Sequence, residues 1–261
     1  MMERERLYRT EAIVLRRTDF GEADRLLTLY TPYLGKIRAI AKGVRKPTSR
    51  KSGHVELLTH SRLLVARGRG LDIVTQAETI HSFRPLREDL LRTTYGYYAA
   101  ELLDRFVGEG VENRPLFDLL VATLSRLGET DDLDLTARFY ELRLLAFVGY
   151  RPQLFRCVEC RGKVERGAKI YFSPSDGGTL CQRCYNRGSA ERRGAKAISL
   201  GALKVLRFLQ TRDYDSCRRL RISRRLHEEM ESVMGRYISH LLERNLKSLE
   251  FLRRLRREGS G

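Results

Sequence analysis

The chain has 261 residues, 42% of them hydrophobic, and carries 50 Lys and Arg against 33 Asp and Glu, a formal charge of +17. That length suits one large domain or two smaller ones, and the apolar fraction excludes a disordered basic tail. No apolar run approaches the roughly 20 residues needed to cross a bilayer, and a positive surplus of this size favours a polyanionic partner.

The N-terminus, MMERERLYRTEAIVL, lacks the apolar core and small-residue cleavage site of a signal peptide, so a cytoplasmic protein with reduced thiols is expected. The charge is uneven. Residues 1–80 carry net +7, residues 81–150 net −4, residues 151–198 net +7 and residues 199–261 net +7. Cationic surface therefore belongs to particular segments, not to the whole exterior.

Residues 8–79 read as β structure. AIVLRR alternates through Ile13 and Leu15, and DRLLTLYT through Leu27 and Leu29. GKIRAIAKG sets Ile37, Ala39 and Ala41 on one face and Lys36, Arg38, Ile40 and Lys42 on the other. SRLLVARG and LDIVTQAE follow around a GRG turn. Five short strands in this span suggest a small Greek-key barrel of the OB type, with an SH3-like barrel as the alternative.

From Pro85 the apolar period changes to that of a helix. Tyr95, Tyr98, Ala99, Leu102, Leu103 and Phe106 share one helical face, and residues 116–127 and 135–147 repeat the pattern. Pro115 suits a helix start, and Gly149 and Pro152 end helical structure. Asn186–Lys196 reads as a polar connector. Helices resume behind Ser199 and Ser223, both suited to N-caps, with Leu226, Met230, Val233, Tyr237 and Leu241 as a stripe. The Arg-rich end reads as a fraying helix.

Four of the five cysteines, Cys157, Cys160, Cys181 and Cys184, fall in a C-x2-C-x20-C-x2-C pattern. Each C-x-x-C knuckle turns two thiolates toward one point, and a strand–turn–strand at Lys169–Cys181 brings the pairs together. The spacing predicts one structural Zn2+ per chain, closed to catalysis because four thiolates leave no open position. Arg156, Arg161, Lys163, Arg183 and Arg187 would offset the −2 charge of such a centre. An iron–sulfur cluster or a redox pair is the alternative. Cys217 stands apart and reads as an inert thiol.

No P-loop, H-E-x-x-H or G-x-S-x-G motif is present, so no catalytic residues are expected and the chain reads as a non-enzyme. The five histidines are scattered, with His54 and His60 flanking a strand. Lys36–Lys51 holds Lys36, Arg38, Lys42, Arg45, Lys46, Arg50 and Lys51 with no acid between them. A barrel strand leading into such a loop can track a phosphate backbone, with Phe20, Tyr30 and Tyr33 available for stacking. Arg183, Arg187, Arg192 and Arg193 form a second candidate set for contact with a phosphate backbone.

The stretch EAIVLRRTDFGEADRLLTLYTPYLGKIRAIAKGVRKPTSR, followed by a four-cysteine insertion within a helical half, resembles the RecO family of bacterial recombination mediators. The likeness covers nearly the whole chain. It implies a multidomain α+β protein: an OB-fold barrel at 1–80, a helical domain at 81–150 and 199–261, and an inserted four-cysteine zinc ribbon at 151–198.

The resemblance also implies binding of single- and double-stranded DNA and annealing of complementary strands. With RecR it implies loading of RecA onto strands coated by single-strand-binding protein, with RecF as a further partner and no membrane. The acidic tail of single-strand-binding protein is expected to dock in the helices of residues 199–257. A zinc-ribbon RNA-binding or ribosome-associated factor and a metal-dependent nuclease are the rival classes. The nuclease would need an acidic cluster on the basic face, whereas the acids concentrate in 81–150.

Overall fold

A computed structural model describes residues 6–164, 169–187, 194–243 and 246–258. The chain forms two compact units, one of residues Met1–Glu129 with Phe251–Gly261 and the other of Thr130–Glu250.

The first unit opens with five strands: β1 (Leu7–Phe20), β2 (Asp24–Thr31), β3 (Gly35–Ala41), β4 (His60–Ala66) and β5 (Asp72–His81). They close into an OB-like barrel in the order β1-β2-β3-β5-β4, with β3 and β5 parallel and the other pairs antiparallel. The period of two explains the interior. Leu27, Leu29, Ala39, Ala41, Leu63 and Val65 point inward and are buried.

On β1 the inward residues are Ala12 and Val14. Ile13, expected with Leu15 as the apolar alternation, is buried on the outer side instead, opposite Tyr30. A register shift between Val14 and Arg16 separates this double-faced stretch from the rest of the strand. Gly35 closes the β2–β3 turn at φ +61, where a Cβ would lie 2.1 Å from the Val111 carbonyl oxygen, so no larger residue fits.

Three helices follow: α1 (Arg84–Arg87), α2 (Leu90–Phe106) and α3 (Arg114–Glu129). Asp89 caps α2 by accepting from the Arg92 amide at 2.7 Å. Of the expected stripe, Tyr95, Tyr98, Ala99, Leu102 and Leu103 are buried, and Phe106, in the last turn of α2, is half-buried. α2 and α3 touch β1 and β2 from outside. Phe117 of α3 sits 6.3 Å from the Tyr30 ring, which explains why Ile13 and Tyr30 are apolar on an outward face.

The second unit begins with α4 (Leu133–Phe147), capped by Asp132 on the Leu135 amide at 2.8 Å. Strands β6 (Ile170–Ser173), β7 (Gly178–Cys181) and β8 (Lys196–Ile198) form an antiparallel sheet in the order β7-β6-β8. β8 begins at the end of the stretch read as a connector; three residues are too few to show a strand period.

A short helix, α5 (Gln182–Tyr185), and helices over Leu200–Thr211, Tyr214–Cys217 and Arg224–Leu242 complete this unit. Ser199 caps the first long one through the Ala202 amide at 3.1 Å, whereas Ser223 stands at its N-cap position without a side-chain bond. The last helix spans Lys247–Glu258. None of the described helices is long and apolar enough to cross a membrane.

Candidate metal centre and nucleic-acid face

The first cysteine knuckle is a tight turn. The Arg161 amide donates to the Cys157 carbonyl at 2.9 Å, and the Cys157 amide to the Gly162 carbonyl at 2.9 Å. Arg161 takes φ +58 to complete it. The second knuckle starts at the end of β7 and finishes inside α5, so the β6–β7 hairpin sets its position.

The four thiol sulfurs lie within 4.8 Å of one another, and Cys160 and Cys181 are 3.9 Å apart. A tetrahedral Zn2+ with Zn–S bonds near 2.3 Å requires sulfurs about 3.8 Å apart. The thiols therefore fit a metal ion of that size, and an all-sulfur set suits a soft or borderline cation.

The site is graded in burial. Cys157 and Cys184 are buried and Cys160 is exposed. A hydrogen bond from the Gly162 backbone leads the causes that lower the Cys160 thiol to about 7, while burial pushes Cys184 up to about 12. Four adjacent thiols cannot all ionise without a cation to hold them, and a bound metal supplies that charge. Among the described residues no other cluster of His, Cys, Asp or Glu could hold a metal. Cys217 is separate and buried, its thiol pushed up to about 11 chiefly by burial.

The cations of Lys36–Lys51 divide into two groups. Lys36 is turned to α2, with Nζ 2.6 Å from the Asp104 carbonyl oxygen and 3.0 Å from its carboxylate. Lys51 donates to the Val74 carbonyl at 3.0 Å, and burial lowers its pKa against the pull of Asp24. Arg45 lies 3.4 Å from Asp19. The loop itself is pinned to the β1–β2 hairpin: the Gly43 amide donates to Asp24 at 2.7 Å and the Arg45 amide to the Ala23 carbonyl at 2.9 Å. A segment without acids in its own sequence thus acquires them from a neighbouring turn.

Arg38, Lys42, Lys46 and Arg50 remain exposed, with no hydrogen bond or ion pair from their side chains to the described residues. Arg16, which sequence reading passed over, joins them. It stands opposite Thr28, and Thr28 stands opposite Arg38, so all three share the outer face of β1-β2-β3. The next rung is Thr18, Leu26 and Ile40, and beyond it Phe20 is 52% exposed. Only the strand register brings Arg16 to Arg38; nothing local to Arg16 announces it.

Of the aromatics suggested for stacking, Tyr30 is a core residue at 0% exposure, while Tyr33 is exposed and carries the Arg114 guanidinium 5.2 Å over its ring. His54 and His60 are structural, bonded to Thr79 at 2.8 Å and Glu11 at 3.0 Å. Arg183 and Arg187 are exposed. Arg192 and Arg193 lie outside the described residues.

Comparison with known proteins agrees with this layout. A family model for the recombination protein O N terminal matches residues 2–83, and one for the recombination protein O C terminal matches residues 87–250. The chain is 49% identical over 249 residues to a DNA repair protein RecO of Roseiflexus sp. (strain RS-1), covering 95% of this chain and 86% of that one. It is 40% identical over 256 residues to the DNA repair protein RecO of Pelotomaculum thermopropionicum, covering 98% and 97%. The Dehalococcoides mccartyi (strain ATCC BAA-2100) protein of the same name is 39% identical over 249 residues, covering 95% and 96%. With both halves matched in order along one chain, this protein belongs to the RecO family of DNA repair proteins.

Proposed function

We propose that this chain binds single- and double-stranded DNA on the outer β1-β2-β3 face and anneals complementary strands. With RecR, and with RecF as a further partner, it helps load RecA onto strands coated by single-strand-binding protein. The observation that carries the DNA reading is the set of exposed, unpaired cations at Arg38, Lys42, Lys46 and Arg50, extended by Arg16 across the register.

Such a face raises the local concentration of two polyanions and screens their repulsion, so that base pairing completes the reaction. No bond is made or broken by the protein, and no catalytic group is needed. Cys157, Cys160, Cys181 and Cys184 hold one structural Zn2+ in a ribbon inserted between the two parts of a helical domain. The tail of single-strand-binding protein docks in the helices after Ser199, and the protein works in the cytoplasm.

The contact set is narrower than the basic segment. Lys36, Arg45 and Lys51 have partners within the protein, so they shape the loop and contribute little to phosphate binding. The test is a salt titration of oligonucleotide binding by fluorescence anisotropy. Each phosphate neutralised on a single strand contributes roughly 0.7 to the slope of log K against log salt. Arg38→Ala with Lys42→Ala should lower that slope by about 1.4, with annealing slowed in parallel. Lys36→Ala should leave it unchanged. A normal slope in the double variant, with a reduced one after Arg183→Ala and Arg187→Ala, moves the site to the cysteine segment. Binding of RNA without accelerated DNA annealing overturns the mediator reading.

A further inference from the structure

Between the end of α4 and the first cysteine knuckle the chain makes a short, firmly held loop. The Gln153 amide donates to the Gly177 carbonyl at 2.9 Å, and the Gln153 carbonyl accepts from the Thr179 amide at 2.8 Å. This approach needs glycine at 178, since a Cβ there would lie 2.5 Å from the Gln153 oxygen. The Gln153 side chain accepts from the amides of Phe155 at 3.0 Å and Arg156 at 3.3 Å. Gln210 reaches from the Leu200–Thr211 helix to the Pro152 carbonyl at 2.9 Å.

This bracing presents an aromatic ring to solvent. Phe155 is 43% exposed although its loop is fixed on both sides. Arg207 donates through Nε to the Leu154 carbonyl at 2.7 Å and sets its guanidinium carbon 5.2 Å from the ring centre. Its Nη2 is buried and has no hydrogen-bond acceptor among the described residues. Beside the ring lies an open cleft of about 380 Å3 lined by Arg151, Pro152, Gln153, Phe155, Arg156 and Gln210. No carboxylate lines it, and the side chains of Arg151 and Arg156 are exposed without an ion pair to the described residues.

A rigid exposed ring, a cation against the ring and two free guanidinium groups beside it are the elements of a stacking platform for an unpaired base. We propose that this cleft is a second single-strand subsite, borne by the Thr130–Glu250 unit, whereas the barrel face belongs to the other unit. A base stacks on Phe155 while Arg151 and Arg156 take the flanking phosphates. The inference rests on the DNA reading above and adds to it a preference for single over double strands, because paired bases offer no free face. An acidic peptide fits less well: apart from one ring and one proline, the lining is arginine and glutamine, with no apolar pit for an aliphatic anchor.

The chain contains no tryptophan, so Phe155→Trp gives a single reporting indole in the full-length protein. Its fluorescence should be quenched by oligo(dT), and not by a duplex, by an abasic oligonucleotide with the same phosphates, or by an acidic peptide. In parallel, Phe155→Ala should weaken oligo(dT) binding by at least about fivefold with an unchanged salt slope. Arg151→Ala with Arg156→Ala should lower the slope by about 1.4.

An indole silent to oligo(dT), in a protein that still binds it, sinks this subsite alone. So does equal quenching by the abasic strand, which would mean phosphate contact without stacking. A response to the acidic peptide only makes the cleft a protein-docking groove and overturns the proposal. Absence of any DNA binding by the unsubstituted protein brings down the barrel reading as well.

Discussion

The barrel and the cysteine segment are both small β structures, and their interiors differ in chemistry. The barrel interior is a cluster of eleven buried apolar residues, from Ala12 to Val74, supplied by every strand and by Val44 and Val55 of the long connection. Among the described residues the cluster around β6 and β7 has five buried members, and two of them, Cys157 and Cys184, are candidate metal ligands. Alternating apolar residues are enough to close five strands on themselves. A three-stranded sheet with strands of four, four and three residues buries less, and two of its cluster's buried members are thiols. One region is stabilised by removing hydrocarbon from water; the other adds four thiols placed where a cation could hold them.

Metal removal is the sharpest way to separate them. Structural Zn2+ supplies about 10–16 kcal/mol to isolated zinc modules, and less where surrounding structure shares the task. Elemental analysis should find one Zn2+ per chain. Chelation, or Cys184→Ser, should abolish amide protection and protease resistance between Cys157 and Cys184 while the barrel strands keep theirs. Equal loss of protection in both regions would break the contrast.

The converse experiment removes hydrocarbon from the barrel. Leu29 is fully buried in the interior cluster, and Leu29→Ala should cost about 2–5 kcal/mol by the usual range for such truncations. Urea titration followed by hydrogen exchange on β1–β3 measures it. The metal content should stay at one ion per chain, because Cys157 and Cys160 are placed by their own turn and Cys181 and Cys184 by β7 and α5. A variant that loses both the barrel and its zinc would show that the two regions depend on one another.

These contrasts also decide what the sequence could reveal. The five strands, the three long helices after Pro85 and the two knuckles were legible because each has a strong local signal: a period of two, a period of 3.6, or paired thiols at fixed spacing. Ile13 misled because two packed layers meet at β1, so that both of its faces are apolar and alternation carries no direction. The basic loop was legible as a loop but not in its pairing, since Asp19, Asp24 and Asp104 come from elsewhere in the chain. Tyr30 had the chemistry of a stacking residue and the environment of a core one. Arg16 and Phe155 depend on register and on bracing from distant residues. Non-local contacts of that kind leave no periodic trace.

A smaller effect tests whether the second unit has a stabilising element that does not depend on the metal. His227 Nε2 lies 3.3 Å from the Asp132 carboxylate, the same residue that caps α4. Burial opposes protonation of His227, as does Arg138. The hydrogen bond to Asp132 and the charges of Asp132 and Asp134 outweigh them, and the pKa is raised. Burial likewise favours the neutral form of Asp132, but the His227 bond and the Leu135 amide bring its pKa below the ordinary value.

A histidine raised in the folded state stabilises fully below its unfolded pKa near 6.5, and that contribution is lost as pH rises through the folded value. Thiolate coordination has the opposite sign, because protons compete with the metal as pH falls. The two are therefore separable by direction alone. Asp132 is partly exposed, so the pair should contribute no more than about 1 kcal/mol. Native-state hydrogen exchange of α4 and the Arg224–Leu242 helix, compared between the parent and His227→Gln from pH 5.5 to 8.5, should show a difference that shrinks as pH rises. The four thiols are the same in both proteins and cancel in the comparison, so a difference that stays flat or grows with pH would leave the Asp132–His227 pair without a measurable part in holding these helices together.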